Sequence, residues 1–207
     1  LTRSGFEQEM ERHREISRAG VEKKFGGHGI NPRTQRAEQS SYDGKEGDFK
    51  KTRLHTATHV IVAALQQVLD QKLPQAGSDI TAERLRFDFT FPRKVTTEEL
   101  KKAEDIANKV IREDLPVTWK EMDLQDALDS GASAFFKLKY PPVVNVFTIG
   151  RPEEQGDEGQ PFSRELCGGP HVSHAGEIGK IKITKEEAIS AGIRRIRATI
   201  DPEQSLA

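Results

Sequence analysis

Leu54, Ala57, Ile61, Ala64, Leu65 and Val68 recur at helical spacing, and Val60, Val62 and Leu69 widen the apolar surface around them. A helix of that composition has almost no face to give to water, so a core must be built around it. His55 and His59 lie four residues apart on the same helix, and at that spacing both imidazoles leave it from one side. Any fold for this chain must therefore bury a helix and still give two histidines something to do.

The rest of the chain supplies the partners. Leu85, Phe87, Phe89 and Phe91 alternate with Arg86, Asp88 and Thr90, the period of a half-buried strand. Thr96 followed by Glu99 forms a capping box for a helix through Leu100, Ala103, Ile106, Ala107, Val110 and Ile111, which Pro116 ends. Further strands are expected over residues 117–122, 142–149, 176–184 and 193–200, with short helical pieces at 124–130 and 186–190 and a surface loop at 151–161. The elements alternate without a βαβ rhythm. The pattern predicts an α+β fold, a mostly antiparallel sheet packed around the buried histidine-bearing helix.

Ahead of it, residues 6–25 read as an exposed helix with a thin apolar face, and residues 26–47 as a glycine-rich linker. The expected organisation is an N-terminal helical arm and linker over 1–47 and a compact domain over 48–207. At 207 residues the chain is too short for two large domains. No apolar run spans a bilayer and no leader pattern opens the chain, so a cytoplasmic protein with no membrane partner is expected. The formal net charge of −1 removes a whole-domain electrostatic argument for tight nucleic-acid binding.

The single cysteine cannot close an intrachain disulfide. It stands in Cys167-Gly168-Gly169-Pro170-His171, where glycine and proline force a tight backbone that returns His171 towards Cys167. A thiolate and three imidazoles form a set that Zn²⁺ accepts tetrahedrally, so His55, His59, Cys167 and His171 are expected to share one ion. Such an ion either works chemically or staples the C-terminal part to the helix. A metalloprotease motif would need Glu directly after the first histidine, where this chain has Thr56. A cysteine nucleophile with His171 or His174 as base is the third reading, in competition with metal binding. His13, His28 and His174 otherwise read as solvated loop residues.

Five ordered segments then carry a resemblance: Leu-His-Thr-Ala-Thr-His at 54–59, Gln-Ala-Gly-Ser at 75–78, Leu-Arg-Phe-Asp-Phe at 85–89, Cys-Gly-Gly-Pro-His-Val at 167–172 and Ala-Gly-Ile-Arg-Arg-Ile at 191–196. Together they resemble the editing domain of alanyl-tRNA synthetase, with freestanding alanyl editing proteins and the threonyl-tRNA synthetase editing domain sharing the first and fourth. Residues 5–27 resemble the segment preceding that domain in bacterial alanyl enzymes, and with Leu1 at the start the chain reads as a piece of something longer. Pro170 stands where alanyl members carry Thr, as in the threonyl relatives. The segment from Phe136 to Pro142 also departs from the family pattern.

The resemblance implies an aminoacyl-tRNA deacylase that hydrolyses Ser-tRNA(Ala) and Gly-tRNA(Ala), with Zn²⁺ on His55, His59, Cys167 and His171. It implies a pocket role for Gln75. Thr58 and Asp88 join Gln75 as candidate catalytic residues, and Thr56, Arg86, Arg194 and Arg195 are candidates for contact with substrate or tRNA. The implied partners are the acceptor end of tRNA(Ala) and the other synthetase domains. A zinc-stabilised tRNA-binding module without turnover, with Lys101, Lys102, Lys137, Lys139, Arg151, Arg164, Lys180 and Lys182 along an acceptor-stem path, is the competing reading, as is threonyl-type specificity.

Overall fold

A computed structural model describes residues 46–134, 140–151 and 160–201. The expected N-terminal helical arm, most of the linker, most of the 151–161 loop, His13, His28, Lys137, Lys139 and all but the end of the Phe136–Pro142 segment lie outside those residues.

The fold is α+β. In chain order its elements are α1 (Glu46–Leu69), β1 (Gln75–Ile80), β2 (Leu85–Thr90), α2 (Thr97–Arg112), β3 (Val117–Asp123), α3 (Leu124–Asp129), β4 (Val143–Ile149), β5 (Ser163–Leu166), a 3₁₀ turn (Ala175–Ile178), β6 (Lys180–Ser190) and β7 (Ile193–Asp201). The strands form two sheets rather than one, in the orders β1-β2-β7-β6 and β3-β4-β5. Every strand pairing is antiparallel.

Helix α1 is the centre of the molecule. Leu54, Ala57, Val60, Ile61, Ala64 and Leu65 are wholly buried against Leu85, Phe87 and Phe89 of β2, Ala107 and Ile111 of α2, and Phe147 and Ile149 of β4. Each large side chain buried there contributes about 1.5–3 kcal/mol, so rotation of α1 about its axis is costly and the direction in which His55 and His59 point is fixed. A smaller cluster of Ala127, Ala132, Val144, Val146 and Leu166 covers the opposite face of the three-stranded sheet beneath α3. No helix among the described residues is long and apolar enough to cross a membrane.

The capping box of α2 is fully formed: Glu99 N–H donates to Thr96 Oγ1 at 3.2 Å and Thr96 N–H to Glu99 Oε2 at 2.8 Å. Four elements differ from the sequence reading. Helix α1 begins two turns earlier than Leu54, where polar residues disguise it, although Phe49 packs on the core and Thr52 is buried. Residues 186–190 are not helical but the second half of β6. Gly192, at φ +71°, closes the turn that pairs Ser190 with Ile193, and this tertiary pairing overrides the helix propensity of Lys-Glu-Glu-Ala. The strands β1 and β5 lack the alternating pattern that would have marked them. In β1, Gly77 lies where a Cβ would come within 3.2 Å of Asp88 Oδ2.

Candidate metal centre

Two elements supply the four expected ligands. His55 and His59 come from α1, and Cys167 and His171 from the bend that follows β5. Their ligand atoms all lie within 4.8 Å of one another. Cys167 Sγ is 3.4 Å from His55 Nε2 and 3.4 Å from His171 Nε2. An ion with tetrahedral bonds of ~2.3 Å to sulfur and ~2.0–2.1 Å to nitrogen has a sulfur–nitrogen edge of about 3.5 Å, so the residues present fit that group.

The other ring nitrogens strengthen the fit. His55 Nδ1 lies 3.1 Å from the Pro170 carbonyl, His171 Nδ1 lies 3.1 Å from Thr56 Oγ1, and His59 Nδ1 meets Glu165 Oε2. An Nδ1–H donating to each of these oxygens turns all three Nε2 atoms towards the thiol, the side from which an ion would be bound. A metal site requires that tautomer and that kind of outer partner.

Thr56 shows how closely the bonds are assigned. Its hydroxyl donates to the Thr52 carbonyl at 3.2 Å and accepts from Val172 N–H at 3.2 Å, besides accepting from His171 Nδ1. One donor and two acceptor positions are all a hydroxyl has, so Thr56 is used in joining α1 to the bend. This also explains the two extra turns of α1, which carry the Thr52 carbonyl.

The electrostatics favour a thiolate at the centre of the cluster. Burial favours the neutral thiol of Cys167, but the His55 and His171 rings around it outweigh this and hold it well below the ordinary thiol range. His171 is pushed down to about 3, first by burial and then by the positive potential of His55, so it stays neutral. Burial acts the same way on His59, but the Glu165 carboxylate overrides it and raises His59 to about 10. The metal-free site therefore carries a proton on His59 that an incoming cation must displace. Zinc affinity should then rise as pH rises from neutrality towards about 10. Calorimetry at pH 8 in buffers of different ionisation enthalpy should show about one proton released per ion from this group. Glu165→Gln, which removes the charge, should bring that release close to zero.

Glu165 is the participant that the sequence reading missed. It is only 3% exposed, and its second oxygen accepts from Ser163 Oγ at 2.7 Å. An acid two residues before the sole cysteine, on a segment leading into a ligand bend, was the available signal.

Gly169 is needed for space. A Cβ there would lie 2.2 Å from His55 Cε1, so the backbone passes directly against the imidazole. Gly169→Ala should displace His55 and weaken zinc binding by roughly 10–100-fold, the scale of a disturbed outer shell, as measured by chelator competition.

The remaining candidates lie elsewhere or are engaged internally. Thr58 Oγ1 donates to the Leu54 carbonyl at 2.8 Å. Gln75 opens β1 and its Nε2 donates to Ser78 Oγ at 3.2 Å. Asp88 accepts two bonds from Arg195, at 2.7 and 2.8 Å, and lies 3.6 Å from Arg86 Nε. Arg194 Nε donates to Glu186 Oε1 at 2.6 Å. Lys101 and Lys182 are paired with Asp105 and Glu104. His174, half exposed, faces Asp114 Oδ2 at 3.6 Å.

Residues 144–197 match the threonyl and alanyl tRNA synthetase second additional domain. The match takes in Cys167 and His171 but not α1, so the fold brings the second pair of ligands to the first. The chain is 43% identical to the alanine–tRNA ligase of Borrelia hermsii (strain HS1 / DAH) over 200 residues, 97% of this chain and 30% of that protein. It is 42% identical to the alanine–tRNA ligase of Treponema pallidum (strain Nichols) over 201 residues, 97% of this chain and 29% of that protein. Against that of Thermus thermophilus it is 48% identical over 151 residues, 73% of this chain and 17% of that protein. The chain thus spans less than a third of the length of these relatives. The resemblance carried by the five sequence motifs is borne out.

Proposed function

We propose, on the strength of that likeness, that this chain is the editing region of an alanyl-tRNA synthetase and hydrolyses the ester joining serine or glycine to tRNA(Ala). Residues 48–207 are the editing unit, residues 1–47 the arm ahead of it, and the cytoplasm the place where it acts. The observation that carries the reading is the convergence of three Nε2 atoms and one thiolate, each imidazole fixed from behind by its own oxygen. His55, His59, Cys167 and His171 would hold Zn²⁺. When bound, the ion supplies a fixed positive charge and Lewis acidity beside the aminoacyl group.

A hydrolytic site of this kind answers a physical limit. A pocket shaped for alanine cannot exclude glycine by size, and one methylene or hydroxyl discriminates only ~10–200-fold, against the ~10⁴ that translation needs. A second site that destroys the wrong ester makes up the difference.

The protein's own groups position rather than react. Glu165 is the acid nearest the ligands in sequence, yet both its oxygens are engaged, with His59 and Ser163, so it is no free general base. The hydroxyl beside the ester on the terminal ribose is the group left to bond the attacking water. Gln75 is assigned to orient the aminoacyl group, because its amide oxygen remains available while Nε2 is held by Ser78. Thr58, Asp88, Arg86, Arg194 and Arg195 keep that site's frame together through the internal bonds described above, and Thr56 fixes His171.

One observation favours a second reading. Four protein ligands close a tetrahedron, as they do around structural zinc. The zinc would then only hold α1 to the bend, and the chain would bind tRNA without turnover. Side-by-side deacylation of Ser-, Gly-, Ala- and Thr-charged tRNA separates the readings. Rapid loss of serine and glycine with correct Ala-tRNA(Ala) spared is expected. Binding without accelerated hydrolysis would establish the structural reading, and a preference for Ser-tRNA(Thr) would assign threonyl-type specificity.

A further inference from the structure

The rows of side chains across β3, β4 and β5 place Trp119, Phe147 and Glu165 opposite one another on one face of the sheet. Glu165 ends that row at His59, and Phe147 packs on His171 with ring centroids 4.2 Å apart. Trp119 stacks on Phe147 at 6.4 Å with 30° between the planes. The indole is thus two ring steps from a metal ligand. Phe147 is 6% exposed and belongs to the core, but Trp119 is 50% exposed. Among the described residues, strand β3 lies at the edge of its sheet.

An exposed tryptophan is costly to leave in water, and this one is not needed to complete the core that Phe147 already closes. Among the described residues the other large exposed apolar side chains, Leu128 and Ile189, are aliphatic, and neither is stacked towards the ligands. A half-exposed aromatic ring supported from behind by a buried one is the form of a base-stacking platform. Such platforms accept any base, because every base has a π-face.

The geometry points to Trp119 as the stacking platform for the terminal nucleobase of the charged tRNA. This rests on the editing function proposed above. An aminoacyl ester and its base hang from the same ribose, so an ester held at His171 leaves the base within reach of a ring two steps away. Stacking there would orient the ribose, and with it the ester, at the ligands. It would also supply binding that does not depend on the overall charge, which is −1.

Trp119 is the only tryptophan in the chain, so its emission reports this position alone. The probe is 3′-(L-seryl)amino-3′-deoxyadenosine, a stable amide analogue, compared with the same seryl amide on a ribose without a base. Saturable quenching by the first and none by the second is expected. In deacylation of Ser-tRNA(Ala), Trp119→Ala should raise KM roughly ten-fold or more, and Trp119→Phe should restore most of the loss. Zinc content should stay at that of the unaltered chain in both variants, which shows that the site is assembled.

An unchanged KM in Trp119→Ala, or emission indifferent to the adenosine compound, would overturn the platform. Base-dependent quenching in a chain that hydrolyses no charged tRNA would uphold the platform and reject the deacylase reading instead.

Discussion

Cys167→Ala is expected to strip the protein of stoichiometric zinc and to slow hydrolysis of Ser-tRNA(Ala) by on the order of 10²-fold or more. Disturbing a mere outer partner of a metal ligand typically costs 10–100-fold, and this change removes a ligand. The thiolate is also the only negative charge among the four ligands, held in that state by the imidazoles around it. Without it, three imidazoles would face one another with no anionic ligand among them, and only the Glu165 carboxylate behind His59 would offset a divalent cation. The fold should survive, because α1 is held by Leu54, Val60, Ile61 and Leu65 rather than by the ligands. Metal analysis by mass spectrometry, circular dichroism and the deacylation rate together give the answer. Zinc lost with the rate intact would leave the ion a staple or a bystander. Zinc retained with the rate lost would make the thiol itself the reacting group.

The candidate ligands were legible in the sequence because each pair is local: one turn of helix joins His55 to His59, and a glycine-proline bend joins Cys167 to His171. The central place of α1 was legible for a similar reason, since an apolar surface on nearly every side demands partners on nearly every side. What joins the two pairs was not legible. The Thr56 hydroxyl spans from the helix to Val172, and Glu165 reaches His59, through contacts over more than a hundred residues of chain. No local pattern encodes a distance of that kind. The same cause hid β1, whose Gly77 makes sense only against Asp88 of β2, and β5, whose four residues are defined by pairing with β4 and with Ser133. The turn at Gly192 decided residues 186–190 against their own propensity.

Asp88 presents the sharpest choice between chemistry and architecture. It is 4% exposed, on the outer side of β2, and accepts a two-pronged interaction from Arg195 of the paired strand β7. That bond holds the Arg195 guanidinium above its ordinary range. A carboxylate whose two oxygens are taken by a guanidinium is poorly placed to accept a proton from water. Asp88→Asn keeps the shape but leaves Arg195 charged and facing an amide. Breaking a buried pair from one side costs about 3–5 kcal/mol, and partial exposure of Arg195 brings this nearer 2–3 kcal/mol. Thermal unfolding should accordingly move down by roughly 5–10 °C. Zinc content and kcat for Ser-tRNA(Ala) should remain close to those of the unaltered chain below that transition. Arg195→Gln should destabilise similarly, and the double variant less than the two changes added together, because each single change strands the other partner. A collapse of kcat in Asp88→Asn with the melting temperature unmoved would place Asp88 in the reaction itself.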